Sequence, residues 1–287
     1  MHKEGALIAF TLISQLVVGS LLFYTFIYFN NRSSVSRLAS GIHIKTPEFL
    51  LCLGIVIATI ISFLHLGSPQ NAIHALNNIA TSWISREILG LTLFSLSLFL
   101  LFLGRWLLSP GKVMISFLFL FSALTGIVFI LMMTGLYMIP TVISWATWYT
   151  PFNFAITTLI LGICGVLAYS LIFKPEIEKT RLLLQILVFF LLLEAISLVL
   201  NYNMLNRISI PLSNEFLSEN LHFTYMIIRI AIIASVLVFL QYIIRKKPVQ
   251  GSMPNVKLLM AIAILLMLFE QLAGRYMFYA TFVKTGI

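Results

Sequence analysis

Aspartate is absent from this sequence. There are two cysteines and five histidines, and only 9% of the 287 residues are charged. Each shortage excludes something. A soluble domain carries roughly 25% charged residues to cover its surface. With so few, most of this protein's surface has lipid as its solvent. An iron–sulfur cluster is held by about four cysteine thiolates, more than are present. Cys52 and Cys164 lie inside apolar runs, without partners at metal-ligand spacing, and read as small buried hydrophobes. A membrane haem of the b type needs paired axial ligands within the spans, usually histidines. His2, His43 and His74 fall in tails or connections, and only His65 and His222 stand at span ends. The expectation is a protein with neither haem nor metal. Phosphate-binding loops and nucleophile motifs are also missing.

What is abundant is apolar sequence: 60% of residues are hydrophobic and the mean hydropathy is +1.04. Continuous runs of about 20 residues match the thickness of the hydrocarbon core, about 30 Å. They lack the period-two alternation of barrel strands. The runs predict an all-α bundle of eight transmembrane helices, near 5–29, 49–66, 87–108, 113–139, 152–173, 182–201, 222–244 and 257–279. No gap between them is long enough for a soluble domain, so residues 1–287 read as one membrane-embedded unit. The first run exceeds the 7–15 apolar residues of a signal-peptide core. It also lacks a small-residue cleavage site before Asn30-Asn31-Arg32, so it reads as an uncleaved helix. No internal sequence repeat is evident.

The connections alternate in charge. The odd ones carry Arg32, Arg37, Lys45, Arg105, Lys112, Lys174, Lys179, Arg181, Arg245, Lys246, Lys247 and Lys257. The other side carries Lys3, Arg86, Arg207, Lys284 and, near it, Arg275. The positive-inside rule places the odd connections in the cytoplasm and both termini outside, in a bacterium the periplasm. Among the outer segments, Ser68-Pro69 is a helix-start signal, and Ile73, Leu76, Ala80, Trp83 and Ile84 follow at helical spacing. That pattern predicts a short amphipathic helix in the interface. The uncharged segment 140–151 holds Trp145, Trp148 and Tyr149, which suit the headgroup belt or the lip of a lipid-side entrance.

Ionisable residues inside spans are costly and point to function. His65, Glu87, Glu194, Arg229, Glu270 and Arg275 all fall in the outer half under this topology. Bland roles exist for each. Arg229 can pair with Glu194 or Glu270, Arg275 can snorkel to the interface, His65 can cap a helix end, and Glu87 can favour a first turn. Glu270 and Arg275 are five residues apart, a poor spacing for a direct pair. A polar pocket at the membrane edge suits a lipophilic quinol. Oxidising one releases two electrons and two protons. Histidine, with an ordinary pKa near 6.5, is a suitable base, and an interfacial glutamate can relay protons outward. The electrons then pass to a partner on the outer face. A secondary transporter using Glu194, Arg229 and Glu270 is the alternative. It is weakened by the lack of a repeat or of Gly/Pro-broken midplane helices.

The block Leu64-His65-Leu66-Gly67-Ser68-Pro69, followed by Leu76-Asn77 and Glu87-Ile88, resembles the membrane anchor subunit of bacterial dimethyl sulfoxide reductase, the DmsC family. Trp148-Tyr149 with Pro151, Arg229, Glu270, Gly274-Arg275 and Phe278-Tyr279 agree in order and spacing. The resemblance covers nearly the whole sequence. It implies an inner-membrane subunit that oxidises menaquinol, carries no haem, and anchors an iron–sulfur subunit and a molybdopterin catalytic subunit on the periplasmic face. The family's quinol-site histidine and glutamate fall on His65 and Glu87. The expected quinol-binding set is therefore His65, Gly67, Ser68, Pro69, Glu87, Arg229, Glu270 and Arg275, with His65 and Glu87 as the catalytic pair.

Overall fold

A computed structural model describes residues 2–30, 47–65, 74, 76–107, 111–173, 180–207, 219–245 and 254–281. Among the described residues there are eight α-helices and no strand: α1 (His2–Asn30), α2 (Pro47–His65), α3 (Trp83–Leu107), α4 (Lys112–Tyr137), α5 (Tyr149–Phe173), α6 (Thr180–Arg207), α7 (Glu219–Arg245) and α8 (Pro254–Ala280). Seven are long and apolar enough to cross a membrane, and α2 has a shorter apolar stretch, Pro47–Phe63. Each expected span overlaps one helix. The largest shifts are at the start of α3 and the end of α6, where polar residues continue the helix beyond the apolar run.

The outer surface is that of a membrane protein. Leu96, Leu100, Phe117, Leu124, Leu131, Ile196, Val238, Leu265 and Phe269 are exposed, whereas Ser14, Gln15, Glu194, Glu270 and Arg275 are buried. In water this arrangement would be inverted; in lipid it is expected.

The helices form two four-membered rings. In the first, α1 packs on α2, α2 on α3, α3 on α4, and α4 back on α1. In the second, α5, α6, α7 and α8 repeat that cycle. The rings are joined through α1 and α5, with α4 against α5 and α1 against α8. The apolar core is divided accordingly into one cluster for each ring. The joint rests on backbone contact: a Cβ on Gly19 would lie 1.9 Å from the Thr158 carbonyl oxygen, and one on Gly162 would lie 2.3 Å from the Gly19 backbone. Only glycine at both positions lets the two central helices meet this closely, as small residues do between membrane helices.

Neighbouring helices in the first ring run antiparallel. Arg105 near the end of α3 pairs with Glu48 at the start of α2, and Tyr28 near the end of α1 approaches Ser116 at the start of α4. The bundle therefore has one face where α1 begins, here the proximal face, and an opposite distal face.

Two expectations about the proximal connections need correction. The predicted amphipathic helix is interrupted: the described part of that segment has a 3-10 turn, Leu76–Asn78, and Trp83 already belongs to α3. Ser82 accepts a hydrogen bond from the Ser85 amide at 3.4 Å, as an N-cap does. Arg86 ties the turn down by donating to the Ile79 and Ala80 carbonyls. In the second connection Trp145 is not in the headgroup belt. It is buried, stacks on Phe278 with centroids 5.2 Å apart, and donates its indole N–H to the Phe278 carbonyl at 2.8 Å. A buried indole needs such a partner, and the free carbonyls near the end of α8 provide one. Trp148 remains exposed, as an interface residue would be.

Candidate functional site

Along α8, Met267, Glu270, Gln271, Arg275 and Phe278 are all buried. Their spacing by three, four and one places them on a single inward stripe. This stripe organises the polar interior. Arg229 of α7 donates through Nε to Glu270 Oε1 at 2.6 Å and through Nη2 to Glu194 Oε1 of α6 at 3.1 Å. The Gln271 amide donates to both carboxylates, at 2.9 Å to Glu194 Oε1 and 2.6 Å to Glu270 Oε2, while its own oxygen accepts from Thr157 of α5 at 2.7 Å. One cluster thus links all four helices of the second ring. Gly274 makes room for it: a Cβ there would lie 2.5 Å from Arg229 Nη2.

Arg275 does not snorkel. It is among the largest fully buried side chains, and its Nη2 donates to Gln15 Oε1 of α1 at 2.6 Å. Gln15 in turn donates to the Phe154 carbonyl at 2.9 Å, so these residues stitch the two rings together. The guanidinium lies 3.9 Å from the Phe154 ring centroid, a cation–π contact. Its Nε and Nη1 have no hydrogen-bond acceptor. As the spacing predicts, Arg275 makes no ion pair with Glu270.

Glu87 is in the second turn of α3 rather than the first, because the helix begins at Trp83. It is buried, and its Oε1 has no hydrogen-bond partner. The nearby polar groups are Tyr137 and Tyr279, whose hydroxyls are bonded at 2.7 Å. The same tyrosines lie within electrostatic reach of Arg275. The proximal half therefore holds two groups with unsatisfied polar atoms, Glu87 at Oε1 and Arg275 at Nε and Nη1, and a bonded tyrosine pair within electrostatic reach of both. Tyr137 was missed from the sequence, and Tyr279 entered only as part of the resemblance, because neutral aromatics inside apolar runs give no charge signal.

Of the predicted residues, the structure brings Arg229 and Glu270 together with Glu194 in the second ring. Glu87 belongs to the first ring and Arg275 to the junction. His65 ends α2, which its pairing with α3 carries to the proximal face; its side chain, and Gly67, Ser68 and Pro69, lie outside the described residues.

A distal ion pair was not anticipated. Glu48 is buried and bonds to Arg105, so costly charges are not confined to the proximal half. The predicted start of the second span fell one residue after Glu48, and Arg105 was counted as a loop cation.

The second ring also holds a small, partly open cleft of about 50 Å³ at the proximal end, lined by Tyr149, Asn201, Tyr202, His222, Arg229 and Phe278 among others. In the sequence its signals were His222 at a span end, Arg229 within a span and Tyr149 in the uncharged segment 140–151, and nothing there joined them.

The pattern of the family described as DMSO reductase anchor subunit (DmsC) matches residues 1–281. The chain belongs to the DmsC family. Among curated relatives it is similar to an anaerobic dimethyl sulfoxide reductase subunit of Haemophilus influenzae, at 27% identity over 99% of this protein and 96% of the relative. It is 33% identical to the anaerobic dimethyl sulfoxide reductase subunit YnfH of Escherichia coli K12 over 55% of each protein. A second anaerobic dimethyl sulfoxide reductase subunit of that organism is 30% identical over 45% of this protein and 48% of the relative. No solved structure matches it significantly. This DmsC-family protein is thus a multi-pass membrane anchor subunit of the dimethyl sulfoxide reductase type.

Proposed function

We propose that this subunit oxidises menaquinol at the proximal end of the first ring and passes the electrons to an iron–sulfur subunit, which serves a molybdopterin catalytic subunit on the same face. The proximal face is periplasmic in this reading, because the basic connections are distal, and the membrane is the bacterial inner membrane. The observation that carries the proposal is the lone carboxyl of Glu87. A buried polar atom without a partner is rare and costly, and here it sits at the end of the ring to which α2 delivers His65.

Oxidation removes two protons and two electrons from the quinol. His65 accepts the proton of one hydroxyl. Glu87 takes up the other proton and releases it to water at the proximal face. Arg275 is the better candidate to polarise the second quinol oxygen, since Arg229 is already engaged by Glu194 and Glu270 whereas Arg275 keeps two nitrogens, Nε and Nη1, without an acceptor. The electrons leave to the partner subunit.

The test uses the assembled complex in membranes. His65→Arg and Glu87→Gln are expected to retain assembly and turnover driven by a soluble dye that reduces the partner directly, but to lose menaquinol-driven turnover by roughly the 10²–10⁴-fold typical of a lost acid–base group. Menaquinol-driven turnover equal to wild type in both variants would overturn the assignment.

A further inference from the structure

The cleft of the second ring occupies the corner that the proposed quinol site occupies in the first. Its walls include the end of α6 and the beginning of α7, the counterparts of the end of α2 and the beginning of α3 in the repeated cycle of packing, and are completed by the start of α5 and the end of α8. We propose that this cleft is a second binding site for a neutral aromatic ring carrying two oxygens, a quinol or quinone, so that one anchor subunit holds two such molecules. The chemical class rests on the function proposed above; the site itself rests on the geometry that follows.

The polar groups are few and convergent. The Asn201 oxygen is buried and has no hydrogen-bond partner, so it is an acceptor ready for a ligand hydroxyl. No hydrogen bond among the described residues uses the ring nitrogens of His222, which is half-buried and packs against Tyr202 with centroids 5.6 Å apart. An imidazole both donates and accepts, so it serves a hydroxyl or a carbonyl equally. Tyr202 and Phe278 provide flat apolar walls for a ring, and Leu205 and Met226 continue that surface.

Charge selects the ligand. Arg229 reaches the cleft, but its guanidinium is shared between Glu194 and Glu270. An anionic lipid headgroup would meet two carboxylates for one cation. A neutral ring with hydrogen-bonding oxygens meets no such repulsion.

The test counts ligands. Equilibrium dialysis of the delipidated full-length protein against menadione, a naphthoquinone without a tail, is expected to give two equivalents per subunit. The double variant Asn201→Leu/His222→Leu, and separately Leu205→Trp, which fills the cleft without touching the ion cluster, are each expected to lose one equivalent, with at least a tenfold loss of affinity there. His65→Arg is expected to lose the other. If menadione binding is unchanged in both cleft variants, the inference is wrong. One equivalent lost only in the cleft variants would support the cleft and overturn the first-ring site, whereas no binding at all would overturn both. Leu205→Trp guards against misfolding of the double variant, and a retained His65-dependent equivalent confirms that either variant is folded.

Discussion

Replacing Arg229 with methionine removes one cation from between two buried carboxylates while keeping an unbranched apolar stem of similar length. Both donated hydrogen bonds, to Glu270 at 2.6 Å and to Glu194 at 3.1 Å, are lost together. What remains is Gln271, a neutral amide, facing two fully buried acids. Removing one partner of a buried ion pair costs about 3–5 kcal/mol, because the other charge is left uncompensated. At about 1.4 kcal/mol per tenfold, the folded-to-unfolded ratio should fall by roughly two to three and a half powers of ten. The cost is electrostatic rather than steric, so neutralising the acids should recover most of it. The triple variant Arg229→Met/Glu194→Gln/Glu270→Gln is expected to lie within about 2 kcal/mol of wild type, since a buried ionic cluster replaced as a whole is often close to neutral. Reversible unfolding of the purified protein in mixed micelles, followed by tryptophan fluorescence, measures the three proteins on one scale. The reasoning fails if Arg229→Met alone lies within about 1 kcal/mol of wild type, or if the triple variant is as unstable as the single one.

Gly19→Leu and Gly162→Leu should each prevent α1 and α5 from meeting, with a loss exceeding the usual overpacking penalty of about 1–3 kcal/mol. Gly5→Leu, where a Cβ meets nothing within 4 Å, should be tolerated, and recovery of monodisperse protein separates the three. Trp145→Phe keeps the stack on Phe278 but loses the indole hydrogen bond, an expected loss of about 1 kcal/mol in the same unfolding assay. Arg105→Met should destabilise the distal end by about 3 kcal/mol, because Glu48 is left buried and unpaired, while menaquinol affinity stays unchanged; a raised KM would tie this pair to the site.

The eight helices were legible because apolar runs of membrane length admit little else once backbone groups must satisfy one another in lipid. Costly charges identified Glu87, Glu194, Arg229, Glu270 and Arg275 as unusual before any packing was known. The spacing of Glu270 and Arg275 correctly argued against pairing between them. The signal failed where cost is not expressed as charge. Gln15, Gln271, Tyr137 and Asn201 are polar but neutral, and they look ordinary in an apolar run. It also failed at Trp145, whose amphipathic ring suits the interface and a buried carbonyl equally well.

The division of labour between sequence and tertiary structure follows from what each can encode. Local composition settles whether a segment crosses the membrane, since the exchange of water for lipid is decided residue by residue. It also sets the alternation of basic connections. Partner choice across helices is a property of three dimensions. Only the packed structure joined Glu194, Arg229 and Glu270 into one cluster, placed Arg275 on Gln15 and left Glu87 Oε1 buried without a hydrogen-bond partner. The two-ring architecture has no trace as a sequence repeat, because lipid-facing and core positions accept many apolar residues. It depends instead on the close contact of Gly19 with Gly162, which becomes meaningful only when the two helices meet.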